Sequence, residues 1–100
     1  MNRAHLTFAL SAVLMISSLA AVHADSLRAD QVKPLVESGE ILALDEILRR
    51  NEARINGRII EIELEQKRGA YVYEIKVLRS NGRYQELKID ARTGVLTREE

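Results

Sequence analysis

The chain has 100 residues, 46% of them hydrophobic, with 15 Lys/Arg balanced by 15 Asp/Glu and no cysteine. That length bounds it to one small domain. The even, interleaved charge excludes the basic patch that nucleic acid or an anionic membrane surface requires. The missing cysteines exclude disulfide staples.

Residues 1–24 read as an export signal. Arg3 supplies a short positive start, LTFALSAVLMISSLAAV is uncharged and mostly apolar, and Val22-His23-Ala24 offers small residues at −3 and −1 of a cleavage site after Ala24. The expected product is periplasmic or secreted, with no membrane segment once the signal is removed. Residues 25–100 then form a single domain whose core spans about 33–98. Arg3 is the one charged residue removed, so 14 Lys/Arg face 15 Asp/Glu in the product. A domain of that size buries only about 60% of its unfolded surface and gains from a partner or from self-association.

VKPLVESG predicts a brief helix that starts late because of Pro34 and stops at Gly39. ILALDEILRRNEA predicts an amphipathic helix of about three turns, with Ile41, Leu44, Ile47 and Leu48 at helical spacing, acids early and arginines late, ended by Asn56-Gly57. Three strands follow, RIIEIELE, YVYEIKVL and YQELKID, with a short fourth, VLTR.

The register of the second and third strands can be derived. Tyr71, Tyr73, Ile75 and Val77 share one face, so Leu87 and Ile89 must join them. A two-residue turn at Asn81-Gly82 would set Val77 against Glu86 and Ile75 against Lys88. A three-residue loop with Gly82 in the left-handed bulge position instead pairs Ile75 with Leu87 and Tyr73 with Ile89, and outside it pairs Glu74 with Lys88 and Lys76 with Glu86. The bulged loop satisfies both faces. For the first hairpin, a four-residue loop Gln66-Lys67-Arg68-Gly69 sets Leu64 against Tyr71 and Ile62 against Tyr73. The fold class expected is α+β, with N-terminal amphipathic helices packed on an antiparallel meander of three to four strands.

Both histidines, His5 and His23, lie in the segment expected to be removed. Without His or Cys, the product has no Ser-His or Cys-His nucleophile and lacks the usual nitrogen and sulfur ligands of transition metals. No catalytic residue, cofactor or metal ligand set is expected. Glu61, Glu63 and Glu65 alternate with Ile60, Ile62 and Leu64, which reads as the wet and dry faces of a half-buried strand, the carboxylates diverging at about 7 Å spacing. Lys88–Leu96 holds Asp90, Thr93 and Gly94 in a turn: Asp90 accepts N–H groups, Gly94 takes positive φ, and Val95-Leu96 resume a strand.

An amphipathic helix after Gly39-Glu40-Ile41-Leu42, with Leu44 and Ile47-Leu48, the run Tyr73-Glu74-Ile75-Lys76-Val77, Asn81-Gly82, and the closing Asp90-Ala91-Arg92-Thr93-Gly94-Val95-Leu96 together resemble the PepSY domain over about residues 33–100. The resemblance implies a non-catalytic module akin to peptidase propeptides and to regulators near the cell surface. It brings no catalytic residues. A chain this short holds no peptidase domain, so the expected role is a free-standing regulator of a separate peptidase or sensor protein. Two alternatives belong to other classes: a cation or small-molecule sensor using Glu61, Glu63 and Glu65 or the Asp90 loop, and a purely structural homodimer. Leu78 and Tyr84 should face each other outside as a small apolar spot, and with the glutamates they form the candidate interaction surface.

Overall fold

The computed structural model describes residues 25–100; the expected signal segment, 1–24, lies outside the described residues. In chain order the elements are β1 (Asp25–Ser26), α1 (Ala29–Glu37), α2 (Leu44–Arg50), α3 (Glu52–Ile55), β2 (Arg58–Lys67), β3 (Ala70–Leu78), β4 (Tyr84–Asp90) and β5 (Leu96–Glu99). The strands form one antiparallel sheet in the order β1-β2-β3-β4-β5. This is the expected α+β meander, with one short strand more at its N-terminal edge.

The helices cover one face of the sheet. Ile47, Ile75, Val77, Leu87 and Ile89 are fully buried between the two layers, joined by Ile41, Ile55, Leu64, Tyr73 and Ala91. Period-two alternation along β3 and β4 supplies most of this core. The opposite face is covered by no element among the described residues.

Three local expectations are corrected. First, α1 begins at Ala29 and holds Pro34 in its interior. Leu27 N–H bonds to Leu64 O at 2.8 Å, which fixes the chain on β2, and Gln31 Oε1 accepts the Arg28 N–H at 2.9 Å, which caps the helix several residues before the proline. Gly39, at φ +79, ends the turn that follows. Second, Ile41 to Ala43 are not helical. The Leu42 N–H bonds to Ala91 O at 2.8 Å and the Tyr73 hydroxyl donates to Leu42 O at 3.1 Å, so this strap is tied to the sheet and α2 starts only at Leu44. The expected three-turn helix is also broken at Asn51 (φ −114, ψ 18) into α2 and α3.

Third, the first hairpin closes on a two-residue turn, Arg68-Gly69, with both residues at positive φ, +53 and +83. That is the type I′ geometry whose twist matches the flanking strands. It pairs Lys67 with Ala70, Leu64 with Tyr73 and Ile62 with Ile75, two residues away from the expected register. A bulge then lies between Ile59 and Glu61, which returns Ile59 to the core face opposite Val77 and leaves Ile60 44% exposed instead of buried in line with Ile62. The gain is electrostatic as well as apolar: Glu61 meets Lys76, at 3.8 Å, rather than Glu74.

The second hairpin has the register that charge and core pairing demand, with Tyr73 opposite Ile89, Ile75 opposite Leu87, Glu74 opposite Lys88 and Lys76 opposite Glu86. The Arg79 N–H bonds to Arg83 O at 2.9 Å, Gly82 sits at φ +85, and Asn81 Oδ1 accepts the Arg83 N–H at 3.0 Å.

Candidate interaction surface

Alternation along β2, β3 and β4 sets the uncovered face of the sheet. Successive rows cross the strands there: Arg58, Leu78 and Tyr84; Glu61, Lys76 and Glu86; Glu63, Glu74, Lys88 and Arg98; Glu65, Val72 and Asp90. Leu78 and Tyr84 are direct cross-strand neighbours, and Tyr84 is 65% exposed. They form an apolar spot at one end of an otherwise charged face.

At the other end the carboxylates do not diverge as the strand spacing alone suggests. Glu74, brought over from β3, completes a group with Glu63 and Glu65 in which an oxygen of each lies within 4.8 Å of the others. Strand twist and the I′ register put Glu63 directly opposite Glu74, a like-charge pairing that is unfavourable by itself. Lys88 Nζ at 3.6 Å from Glu74 and the Ser26 hydroxyl, donating to Glu63 Oε2 at 2.8 Å, offset part of it. Burial, then the hydrogen bond and charge of Glu65, with a smaller contribution from Glu63, push the Glu74 carboxyl up from its ordinary range against the pull of Lys88. Glu61 stands apart, paired with Lys76.

The turn that follows Asp90 leaves this face and packs against α2 through Thr93 and Gly94. Asp90 Oδ1 accepts the N–H groups of Arg92 (2.8 Å) and Thr93 (3.1 Å), Thr93 Oγ1 accepts that of Val95 (3.3 Å), and the Gly94 N–H bonds to Asp90 O at 2.8 Å. Gly94 is buried at φ +77, and a methyl group there would stand 2.9 Å from Arg50 Cδ and 3.2 Å from Leu42 Cδ1. Asp90 Oδ1 and Thr93 Oγ1 are taken up by the turn's own N–H groups, and on the side away from α2 Asp90 and Arg92 line an open groove with Glu40, Arg68 and Tyr71.

Two polar residues that sequence reasoning passed over hold this end together. Asn51 is the buried polar side chain among the described residues, 5% exposed, and its amide donates to Ile47 O (2.9 Å) and Gly94 O (3.0 Å). Arg50, beside it, donates to Thr93 O at 3.0 Å and pairs with Glu46 at 2.7 Å. At the far end of α3, Arg79 donates to Ile55 O, to Asn56 O (3.1 Å) and to Arg54 O (2.9 Å), and to Gln85 Oε1 (2.8 Å), so a cation stands at the negative end of that short helix. The one signal in the sequence was an asparagine within an apolar helical stretch, a residue that favours breaks and caps.

The remaining feature is an edge. β1 covers β2 only at Glu65 and Gln66, with Leu27 on Leu64; among the described residues nothing pairs with the outer edge of β2 from Arg58 to Glu63. An open groove lined by Leu48, Ala53, Ile55, Gly57 and Ile59 borders that edge at one end, and a second, lined by Leu27, Val32, Leu44, Ile62 and Leu64, borders it at the other. No helix among the described residues is long and apolar enough to cross a membrane.

A family model described as "Peptidase propeptide and YPEB domain" (PepSY) matches residues 38–100. The match takes in α2, α3 and all of β2 to β5, including the Asp90–Gly94 turn and its latch to α2. No curated protein and no solved structure matches the chain significantly.

Proposed function

We propose that this chain, which belongs to the PepSY family of peptidase propeptide and YPEB domains, is an exported, non-catalytic binding module that inhibits or modulates a separate peptidase or sensor protein outside the cytoplasm. Family membership is the observation that carries this reading. Three features of the chain support it. The leader composition of residues 1–24 fits export with cleavage after Ala24. Asp90 Oδ1 and Thr93 Oγ1 of the closing turn accept the turn's own backbone N–H groups, which fits a structural role for that stretch. One sheet face is left bare, with Glu61, Glu63, Glu65, Leu78 and Tyr84 exposed or half-exposed on it.

That face fits a protein surface better than a small molecule. It is flat, since strand side chains stand side by side, and its charged rows end in an apolar spot at Leu78 and Tyr84, the aromatic kind of residue that interfaces favour. The acidic end suits a basic patch on the partner.

The test is direct. Purified protein is titrated into periplasmic peptidase assays and used to capture proteins from periplasmic extract, beside a Leu78→Glu/Tyr84→Glu variant. Inhibition or capture that the variant loses supports the reading. Equal results for wild type and variant, or none for either, remove it.

A further inference from the structure

The free stretch of β2 is complementary to itself. Antiparallel pairing about a two-fold axis between Ile60 and Glu61 sets Arg58 of one copy opposite Glu63 of the other, Ile59 opposite Ile62, and the two bulge positions opposite each other, with every contact made twice. Directly opposed residues of an antiparallel pair must point to the same face of the sheet. In an unbroken strand this register fails, because positions 59 and 62 would point to opposite faces. The bulge at Ile60 removes the mismatch. Ile59 opposes Val77 and Ile62 opposes Ile75, both core residues, while Arg58 opposes Leu78 and Glu63 opposes Glu74 on the bare face. In this register, then, apolar residues meet under the helices and charged residues meet outside.

Charge selects the same arrangement. Among the described residues Arg58 has no ion-pair partner. Glu63 sits in the carboxylate group with Glu65 and Glu74, which holds more negative charge than Lys88 alone neutralises. A second copy delivers its Arg58 to that group, and receives the same in return. Centring the pairing on Ile60 would set Arg58 against Ile62, and centring it on Glu61 would set glutamate against its own copy. The two bordering grooves would then meet across the axis, so that the edge opens on Ile59 and Ile60, 36% and 44% exposed in the single chain, only until the copy arrives.

We propose that the β2 edge, Arg58 to Glu63, is a homodimer interface at which two copies join their sheets through reciprocal Arg58–Glu63 pairs. The interface shares Arg58 and Glu63 with the bare face assigned to a regulatory partner. Leu78 and Tyr84 lie on β3 and β4 away from the β2 edge, so the Leu78→Glu/Tyr84→Glu variant tests the regulatory reading separately from charge exchange at Arg58 and Glu63. Its small extent makes the dimer a weak one that dissociates on dilution.

Sedimentation equilibrium over a wide concentration range, with circular dichroism to confirm folding, tests it by charge exchange. Arg58→Glu and Glu63→Arg should each weaken self-association on the order of tenfold or more, because each puts like charges in both symmetric pairs. An equimolar mixture of the two variants restores opposite charges in both pairs and should dimerise as the wild type does, as should the double variant R58E/E63R. Ile60→Lys, placed on the exposed edge, should also dissociate the dimer. A protein that stays monomeric throughout, a dimer that both single reversals leave intact, or a mixture that fails to recover overturns the proposal.

Discussion

Asn51 and Gly94 lie 43 residues apart, and the Asn51 side-chain amide donates to the Gly94 carbonyl at 3.0 Å. The same amide group closes on Ile47 O, so one buried side chain ends α2 and pins the turn that launches β5. A carbonyl buried without a donor costs about 1 to 3 kcal/mol.

Asn51→Ala is therefore expected to lower stability by about 2 kcal/mol in urea unfolding. Asn51→Asp should cost at least as much, since a carboxylate cannot donate to either carbonyl and is itself buried. A change within about 0.5 kcal/mol for both, the range of ordinary surface substitutions, would show that the latch contributes nothing.

Gly94 and Gly82 share a left-handed backbone, φ +77 and +85, but not their surroundings. A methyl group at Gly82 meets open space, whereas at Gly94 it meets Arg50 and Leu42. Gly82→Ala should cost about 1 kcal/mol from backbone strain alone. Gly94→Ala adds the displacement of Arg50 and Leu42 and should cost clearly more. Equal losses at both positions would mean that Arg50 yields freely and that only the backbone matters.

These residues also show where the sequence is legible. The β3–β4 register follows from it because two independent constraints, core pairing and opposite charges, act on the same residues. The β2–β3 register does not, because Arg68 accepts positive φ in a tight turn and a bulge at Ile60 then restores the core pairing; neither event leaves a pattern in composition. Ile41 to Ala43 carry helical spacing, but their backbone is claimed by Ala91 and Tyr73, partners distant in sequence. The turn at Asp90 to Gly94 was legible as a turn, since Asp, Thr and Gly act there on their own backbone. Its attachment to Asn51 and Arg50 was not, since nothing local in the sequence specifies that contact. The glutamate stripe read correctly as a bare face, yet its convergence needed Glu74 from the neighbouring strand.

Calcium is expected to leave the melting temperature unchanged at millimolar concentration. The ion takes six to eight oxygens converging on one point, whereas Glu63, Glu65 and Glu74 are fixed side by side on two strands, with Lys88 Nζ 3.6 Å from Glu74. Selective binding to the folded state would raise the melting temperature progressively with concentration. Such a rise, abolished in Glu74→Gln, would assign the sensor role to this face.

Two carboxylates should respond to pH with opposite signs. Hydrogen bonds from Arg49 and Arg50 hold Glu46 down from 4.5 to about 2. The unfolded chain thus takes up the proton first, and the contribution of Glu46, present above pH 4.5, is lost as pH falls toward 2. Glu46→Gln should flatten that acid limb. Glu74 is shifted the other way, upward through burial and Glu65. Between its ordinary and its raised value the folded chain holds the proton more tightly, so stability is greatest below that window and falls as pH rises through it. The melting temperature of Glu74→Gln relative to wild type should therefore increase from pH 4 to pH 7, whatever constant offset the lost Lys88 pair introduces. A relative melting temperature that stays level or declines over that range would show that Lys88 outweighs burial and the neighbouring glutamates at this position.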